Sequence, residues 1–377
     1  MDKKHHLIHE QLLIAMQSEM QKFQDYYLWL ENAMPESFFK DISNENIMMI
    51  VHNLMGFHLQ EYFSTIHLQS GAIALCLDSP DADLKILKNY ALYGIKNYET
   101  YVSNSPPPFP SITANLRIAN IYFTEAVDKN THPIPSEQFA RLAALMKDKH
   151  PTISDKELNQ LINSVNARFL SSLSDESSLL ALEMLFRAKT RDSCQYEVRY
   201  NLGWEEAKTP SMQIVLAWKN TPKHNFLYRL ARTIHRHGLV MKRVNAAYIE
   251  PYSKNSILVM ALSLHGFNEK AAWEVADISD FIRDLVTLKY FPSFDIIDEL
   301  LVSKKIISGN MGNAIRAIAT FVHQILLHLD SNLYTLESIE EAFCRHPDLT
   351  VKLCEAFYFK FNPDDTQFEK YLSLKER

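Results

Sequence analysis

The sequence predicts an α+β protein that is predominantly helical around a central ferredoxin-like, ACT-type βαββα module. Two features carry this, and both lie between Gln213 and Leu288. First, Gln213–Lys219 (QIVLAWK) has the continuous apolar composition of a buried strand, while Leu227, Leu230, Ala231 and Ile234 recur at the i, i+3, i+4 and i+7 spacing of one helix face. Second, the pattern switches back: Met241–Glu250 and Ser256–Leu264 are strand-like, and Trp273–Leu288 is again helical. Gly238 sits where the first helix must stop, and its missing Cβ suits a left-handed C-cap. Strand, helix, strand, strand, helix is most of a ferredoxin-like unit.

The flanking elements follow in chain order. Residues 5–31 carry a helical stripe of Ile8, Leu12, Met16, Met20 and Phe23, closed by Pro35. A helix is expected from Glu45 to Ser64, with Ser43 as its N-cap. Gly71–Asp78 (GAIALCLD), Lys96–Val102 and Ala114–Thr124 have strand composition, and the prolines of 105–110 (SPPPFP) demand an extended connector. Ser136 opens a helix, and Ser154-Asp-Lys-Glu157 forms a capping box for the next. Asp175–Arg191 is amphipathic through Leu179, Leu182, Leu185 and Phe186. Tyr196, Val198, Tyr200 and Leu202 alternate as in a strand that supplies the fourth position of the central sheet. Helices are expected at Asp295–Lys304, Asn313–Leu329, Leu336–Phe343 and Leu349–Phe361, with a polar, fraying end over 364–377. The resulting division is a helical segment 1–70, a candidate degraded ACT-like α/β module 71–135, a helical block 136–192, the central ACT-like module 193–290 and a helical domain 291–377.

Composition excludes several function classes. A net charge of −6 and a pI near 6.2 argue against general nucleic-acid binding. No apolar run is long enough for a membrane span, and the N-terminus lacks the apolar core of a secretory signal, so a cytoplasmic protein without a membrane partner is expected. Cys76, Cys194, Cys344 and Cys354 form no CxxC pair and are read as reduced thiols. Only eight glycines occur, with no GxGxxG after a strand and no GxxxxGK[ST], so the usual dinucleotide and nucleoside-triphosphate loops are missing. His5 and His9 share a helix face but have no third ligand at matching spacing, so no metal is expected. No catalytic motif is found, and no cofactor is expected in this chain.

Three segments together resemble the N-terminal, non-catalytic region of the large NAD-specific glutamate dehydrogenases. They are YYLWLENAMPESFFKDIS (26–43), the ACT-like stretch 213–266, and GNMGNAIRAIATFVHQILLHLD (309–330). The catalytic lysine segment and nucleotide-binding domain of that family have no counterpart here, so no catalytic residue carries over. ACT-type modules bind an amino acid at the turn between first strand and first helix, which the resemblance places at Asn220-Thr-Pro-Lys-His-Asn225. The usual pattern there is an acidic residue, proline and glycine. Asn220 and Pro222 answer to the first two, Lys223 replaces the glycine, and the loop is about two residues longer. The resemblance thus nominates Asn220, Thr221, Lys223, His224 and Asn225, with Arg229 and Arg232 on the following helix, as ligand-binding residues.

Charge adds one further pattern. No Asp or Glu occurs between Glu206 and Glu250, while Lys219, Lys223, Arg229, Arg232, Arg236, Lys242 and Arg243 all fall there. This basic island is expected to receive a carboxylate or an acidic partner surface, or to be a solvated face. Two functions are therefore expected. One is a regulatory region that senses an amino-acid effector or mediates self-association, or contact with a dehydrogenase catalytic domain. The other is an interaction scaffold without a small-molecule ligand.

Overall fold

The computed structural model describes residues 2–110, 112–123, 134–171, 173–201, 210–250, 253–291, 295–363 and 365–375, with side chains from residue 18 onward except 168, 201, 269 and 365. It forms two compact units, Met1–Ser279 and Asp280–Arg377. The fold is mixed α+β.

The first unit is built on one antiparallel sheet of eight strands: β1 (Phe63–Leu68), β2 (Gly71–Leu77), β3 (Ile95–Val102), β4 (Leu116–Phe123), β5 (Gln195–Asn201), β6 (Ser211–Lys219), β7 (Leu239–Ile249) and β8 (Ile257–Gly266). Their spatial order, β1-β2-β4-β3-β7-β8-β6-β5, is the same arrangement read from either end. Each half is a hairpin, a helix and a second antiparallel pair whose last strand inserts beside the second strand. β5 pairs antiparallel with β6, in the position the alternation of Tyr196, Val198 and Tyr200 predicts. The halves join through β3 and β7, in the register Asn97↔Ala247, Tyr98↔Ala246 and Glu99↔Asn245.

Helices cover both faces of the sheet. In the first half they are α1 (Asp2–Ala33), α2 (Glu36–Asp41), α3 (Asn44–Met55) and α4 (Ala82–Asn89). The linker carries α5 (Ser136–Lys149), α6 (Asp155–Ser164), α7 (Ala167–Ser171) and α8 (Asp175–Thr190). The second half adds α9 (Phe226–Arg236), α10 (Ala272–Val275) and the start of α11 (Ile278–Thr287). One face carries α4 and α9 side by side. On the other, α1–α3 close a core with Ile66, Ile73, Leu75, Tyr101, Leu116 and Ile118. Helices α5–α8 close a second core there with Val215, Ala217, Ala247, Ile249, Val259 and Ala261.

Local signals explain most boundaries. Ser154 and Glu157 form the capping box at α6 with both reciprocal bonds present. Ser43 caps α3 through the Asn46 N–H. Gly238 follows α9 at φ +73, the left-handed C-cap that only glycine adopts without strain. Helix α8 is buried on nearly every side from Ser177 to Leu185, because it lies between α5, α6 and the sheet; the amphipathic expectation was too narrow there.

Several expectations are corrected. The helix expected over 45–64 ends at Met55, Gly56 interrupts it, and Phe63–Leu68 instead pairs with β2 as β1. Pairing along a sheet edge outweighs the helical period of a short segment. Trp273–Leu288 is two helices, separated at Ala276, which is extended at φ −120 and ψ 144. Val275 lies close to both Gly238 and Gly266, which fixes the end of α10 against the sheet. Of the 5–31 stripe, Ile8, Leu12 and Met16 lie outside the described side chains, and Met20 is exposed.

The second unit is helical: α12 (Gly309–Leu326), α13 (Leu336–Arg345), α14 (Pro347–Phe361) and α15 (Asp365–Lys375). Its core gathers Ile297, Leu301, Val302, Ile307, Ile315 and Cys354. Asp295–Lys304 holds a single π-turn over Asp298–Val302 rather than a regular helix. The C-terminal stretch expected to fray is helical as α15, which packs on α14.

Gly71 tests the first half directly. A Cβ there would lie 1.8 Å from the Ile121 carbonyl oxygen of β4. Gly71→Ala is expected to destabilise the protein by about 1–3 kcal/mol through overpacking and strand displacement, read from urea denaturation.

Candidate functional site

The turn nominated for ligand binding joins β6 to α9, and its residues serve several ends. Asn220 and Asn225 adopt left-handed backbone at φ 56 and φ 60. Thr221 is buried, with its hydroxyl donating to the Trp218 carbonyl at 3.2 Å. His224 Nδ1 lies 3.1 Å from the Leu92 carbonyl, and the Asn225 N–H donates to the Ala91 carbonyl at 2.8 Å. The turn is therefore clasped to residues 91–94 of the opposite half, with a further bridge between Gly94 and His224. Tyr248 Oη donates to the Pro222 carbonyl at 2.7 Å and holds the turn from β7. Lys223 is half-buried, and that burial lowers its ammonium pKa.

The basic island does not survive as a unit. Arg229 is buried, and Arg232 stacks over Tyr228 at 5.6 Å. Lys219 donates to the Lys189 carbonyl at 2.7 Å. Lys242 and Arg243 lie on β7 and line a cavity. Residues adjacent in sequence are distributed by the sheet, so no single basic surface forms from this run.

The equivalent turn of the first half, between β2 and α4, reads Asp78-Ser-Pro80 where the second half reads Asn220-Thr-Pro222. Here the acidic position is occupied from within. Arg117 of β4 donates from Nε to Asp78 Oδ1 at 2.7 Å and from Nη1 to Asp83 Oδ2 at 2.7 Å. Its Nη2 donates to the Met241 carbonyl of β7 at 3.0 Å, crossing between the halves. Tyr98 Oη donates to Asp83 Oδ1 at 2.6 Å. Burial opposes the guanidinium charge, but attraction by Asp83 and Asp78 outweighs it and raises the Arg117 pKa. Burial also raises the Asp83 carboxyl, although Arg117 and Tyr98 pull the other way. Sequence reading missed this network. Arg117 stands in an apolar run, LRIANIYF, and only the repeated Ser/Thr-Pro turn hints at paired halves.

A cavity of about 290 Å³ lies on the opposite face from α4 and α9, over the junction of the halves. Its floor comes from Tyr101, Arg243, Asn245 and Ser263 of the central strands, with Gln213 beyond. Its walls come from Pro35 and Ser37 on one side and from Ser174 and Ser177 at the start of α8 on the other. Gln213 Nε2 donates to Ser177 Oγ at 2.7 Å, which ties β6 to α8 at the rim. Behind Tyr101 sit two buried carboxylates. Its hydroxyl donates to Asp41 Oδ2 at 2.8 Å, and Glu99 Oε2 is the longer contact at 3.3 Å.

No protein-family model matches the chain, and no curated protein matches it. Among the described residues, no group of three His, Cys, Asp or Glu side chains is placed to hold a metal ion, and no helix is long and apolar enough to cross a membrane.

Two tests follow from this geometry. Arg117→Ala leaves Asp83 buried without its cation and is expected to cost about 3–5 kcal/mol, measured by urea denaturation followed through tryptophan fluorescence. Burial pushes the Cys76 thiol up to about 12. Iodoacetamide at pH 8 is therefore expected to leave Cys76 unlabelled in the folded protein and to label it in urea, read by peptide mass spectrometry.

Proposed function

We propose that the chain is a regulatory and assembly region, resembling the N-terminal part of the large NAD-specific glutamate dehydrogenases, that responds to an amino-acid effector in a cytoplasmic setting. Its partner is a dehydrogenase catalytic domain or a second copy of the chain. The observation that supports this reading is the clasp between the Asn220–Asn225 turn and residues 91–94 of the other half. A ligand held by Lys223, Asn220 and Asn225 would change the energy of that clasp. The packing of the two halves would then depend on occupancy, which is the differential interaction that allostery requires. In this arrangement Lys223 holds the carboxylate, His224 keeps the turn on the Leu92 carbonyl, and Arg229 and Arg232 support the helix behind it.

A scaffold without a small-molecule ligand is the second reading. It is favoured by the burial of Thr221, Asn225 and Arg229, and by the exposed apolar side chains Phe321, Ile325, Leu349, Phe357 and Phe361 of the second unit. A thermal-shift screen of the full chain against the twenty amino acids separates the two. A ligand present at 100 times its Kd stabilises the folded state by about 2.7 kcal/mol. A selective shift that Lys223→Ala or Asn220→Ala abolishes is expected for the sensor. A flat screen combined with concentration-dependent association in sedimentation would instead support the scaffold.

A further inference from the structure

We propose that the cavity over the junction of the halves is a binding site for a small organic carboxylate, distinct from the Asn220–Asn225 turn and on the other face of the sheet from α9. The first support is charge. Lys242 and Arg243 line the cavity, and none of its lining residues is Asp or Glu, although the chain as a whole carries −6. Lys242 is exposed and forms no ion pair among the described residues, so its ammonium is available. Arg243 is half-buried and has an interaction of its own, so the proposal does not depend on its being available.

The acidic groups nearby are committed. Asp175 accepts from Arg141 at 2.9 Å, and Glu176 pairs with Arg199. Asp41 accepts a hydrogen bond from the Tyr101 hydroxyl, which also lies 3.3 Å from Glu99 Oε2. Opposite the cations stand Ser174 and Ser177 at the amino end of the sixteen-residue helix α8, where backbone dipoles favour an anion.

The second support is the polarity and size of the lining. Gln213, Asn245, Ser211 and Ser263 line it with amide and hydroxyl groups, while Leu173 and Ala261 supply apolar contact. A volume of about 290 Å³ sits at the small end of ligand pockets, which suits a compact acid rather than a nucleotide.

The cavity exists because β3 and β7 stop pairing at Glu99↔Asn245, and β7 carries a bulge between Met241 and Arg243. Bulges re-aim side chains at such positions. Here the bulge sets Lys242 and Arg243 at the cavity mouth.

The test is isothermal titration of the full chain with succinate, citrate and inorganic phosphate at millimolar concentration. Saturable binding of succinate or citrate is expected, and Lys242→Glu is expected to weaken it by about tenfold or more, the scale of a charged hydrogen bond. Ser263→Met, which fills the floor, is expected to abolish binding while the melting midpoint stays unchanged, and Lys223→Ala is expected to leave binding intact. Three results each overturn the proposal: no carboxylate binds, phosphate binds most tightly, or Lys242→Glu leaves carboxylate affinity unchanged. Carboxylate binding lost on Lys223→Ala instead would move the ligand to the turn, sinking this site while sparing the regulatory reading.

Discussion

Three register pairs between β3 and β7 hold two four-stranded halves in one sheet, and much of the first unit depends on them. Without this junction each half would present an open central edge, a row of unpaired backbone donors and acceptors that invites association. Three pairs make a short ladder, and side chains reinforce it. Arg117 reaches from β4 past β3 to the Met241 carbonyl on β7. On the same face α4 packs beside α9, and the turn before α9 binds the backbone that follows α4. The junction is thus fastened at the strands, at the helices and at the turn.

The two faces of the sheet solve different problems at that junction. Where α4 and α9 meet, the gap is filled by a buried ionic network. A buried pair of this kind is weak evidence for stability, because desolvation offsets much of its attraction. Its geometry is directional, however, and Arg117 can satisfy Asp78, Asp83 and Met241 together only when both halves are in register. On the opposite face the two helical layers close separate apolar cores. Asn120, Glu99 and Asn245 lie side by side across β4, β3 and β7, all three buried, between the two apolar cores. They form a buried polar strip between the cores, and Asn245 at its edge also lines the cavity.

Local periodicity made much of the fold legible. The strands at Gln213–Lys219 and Met241–Glu250, the helix through Leu227 and Ile234, and the capping box at Ser154 each depend on neighbours within a few residues. The errors were of the opposite kind. The helix expected to run to Ser64 overran into Phe63 and Ser64, the first two residues of β1, because the apolar spacing of a short run fits both periods, and only pairing with β2 decides it. Arg117 could not be read as the hub of a network, since its partners lie 34, 39 and 124 residues away.

By itself, the sequence determined the α+β class, the position of most elements and the absence of the usual nucleotide loops, because these rest on composition and short-range spacing. It also assigned β5 to the central sheet, and its pairing with β6 is a feature of the structure. The symmetric doubling of the sheet, the dispersal of the basic island and the clasp on the Asn220–Asn225 turn were decided only by tertiary structure. Pairing of β3 with β7 brings together segments that are far apart in the chain, and no local pattern encodes which edge meets which.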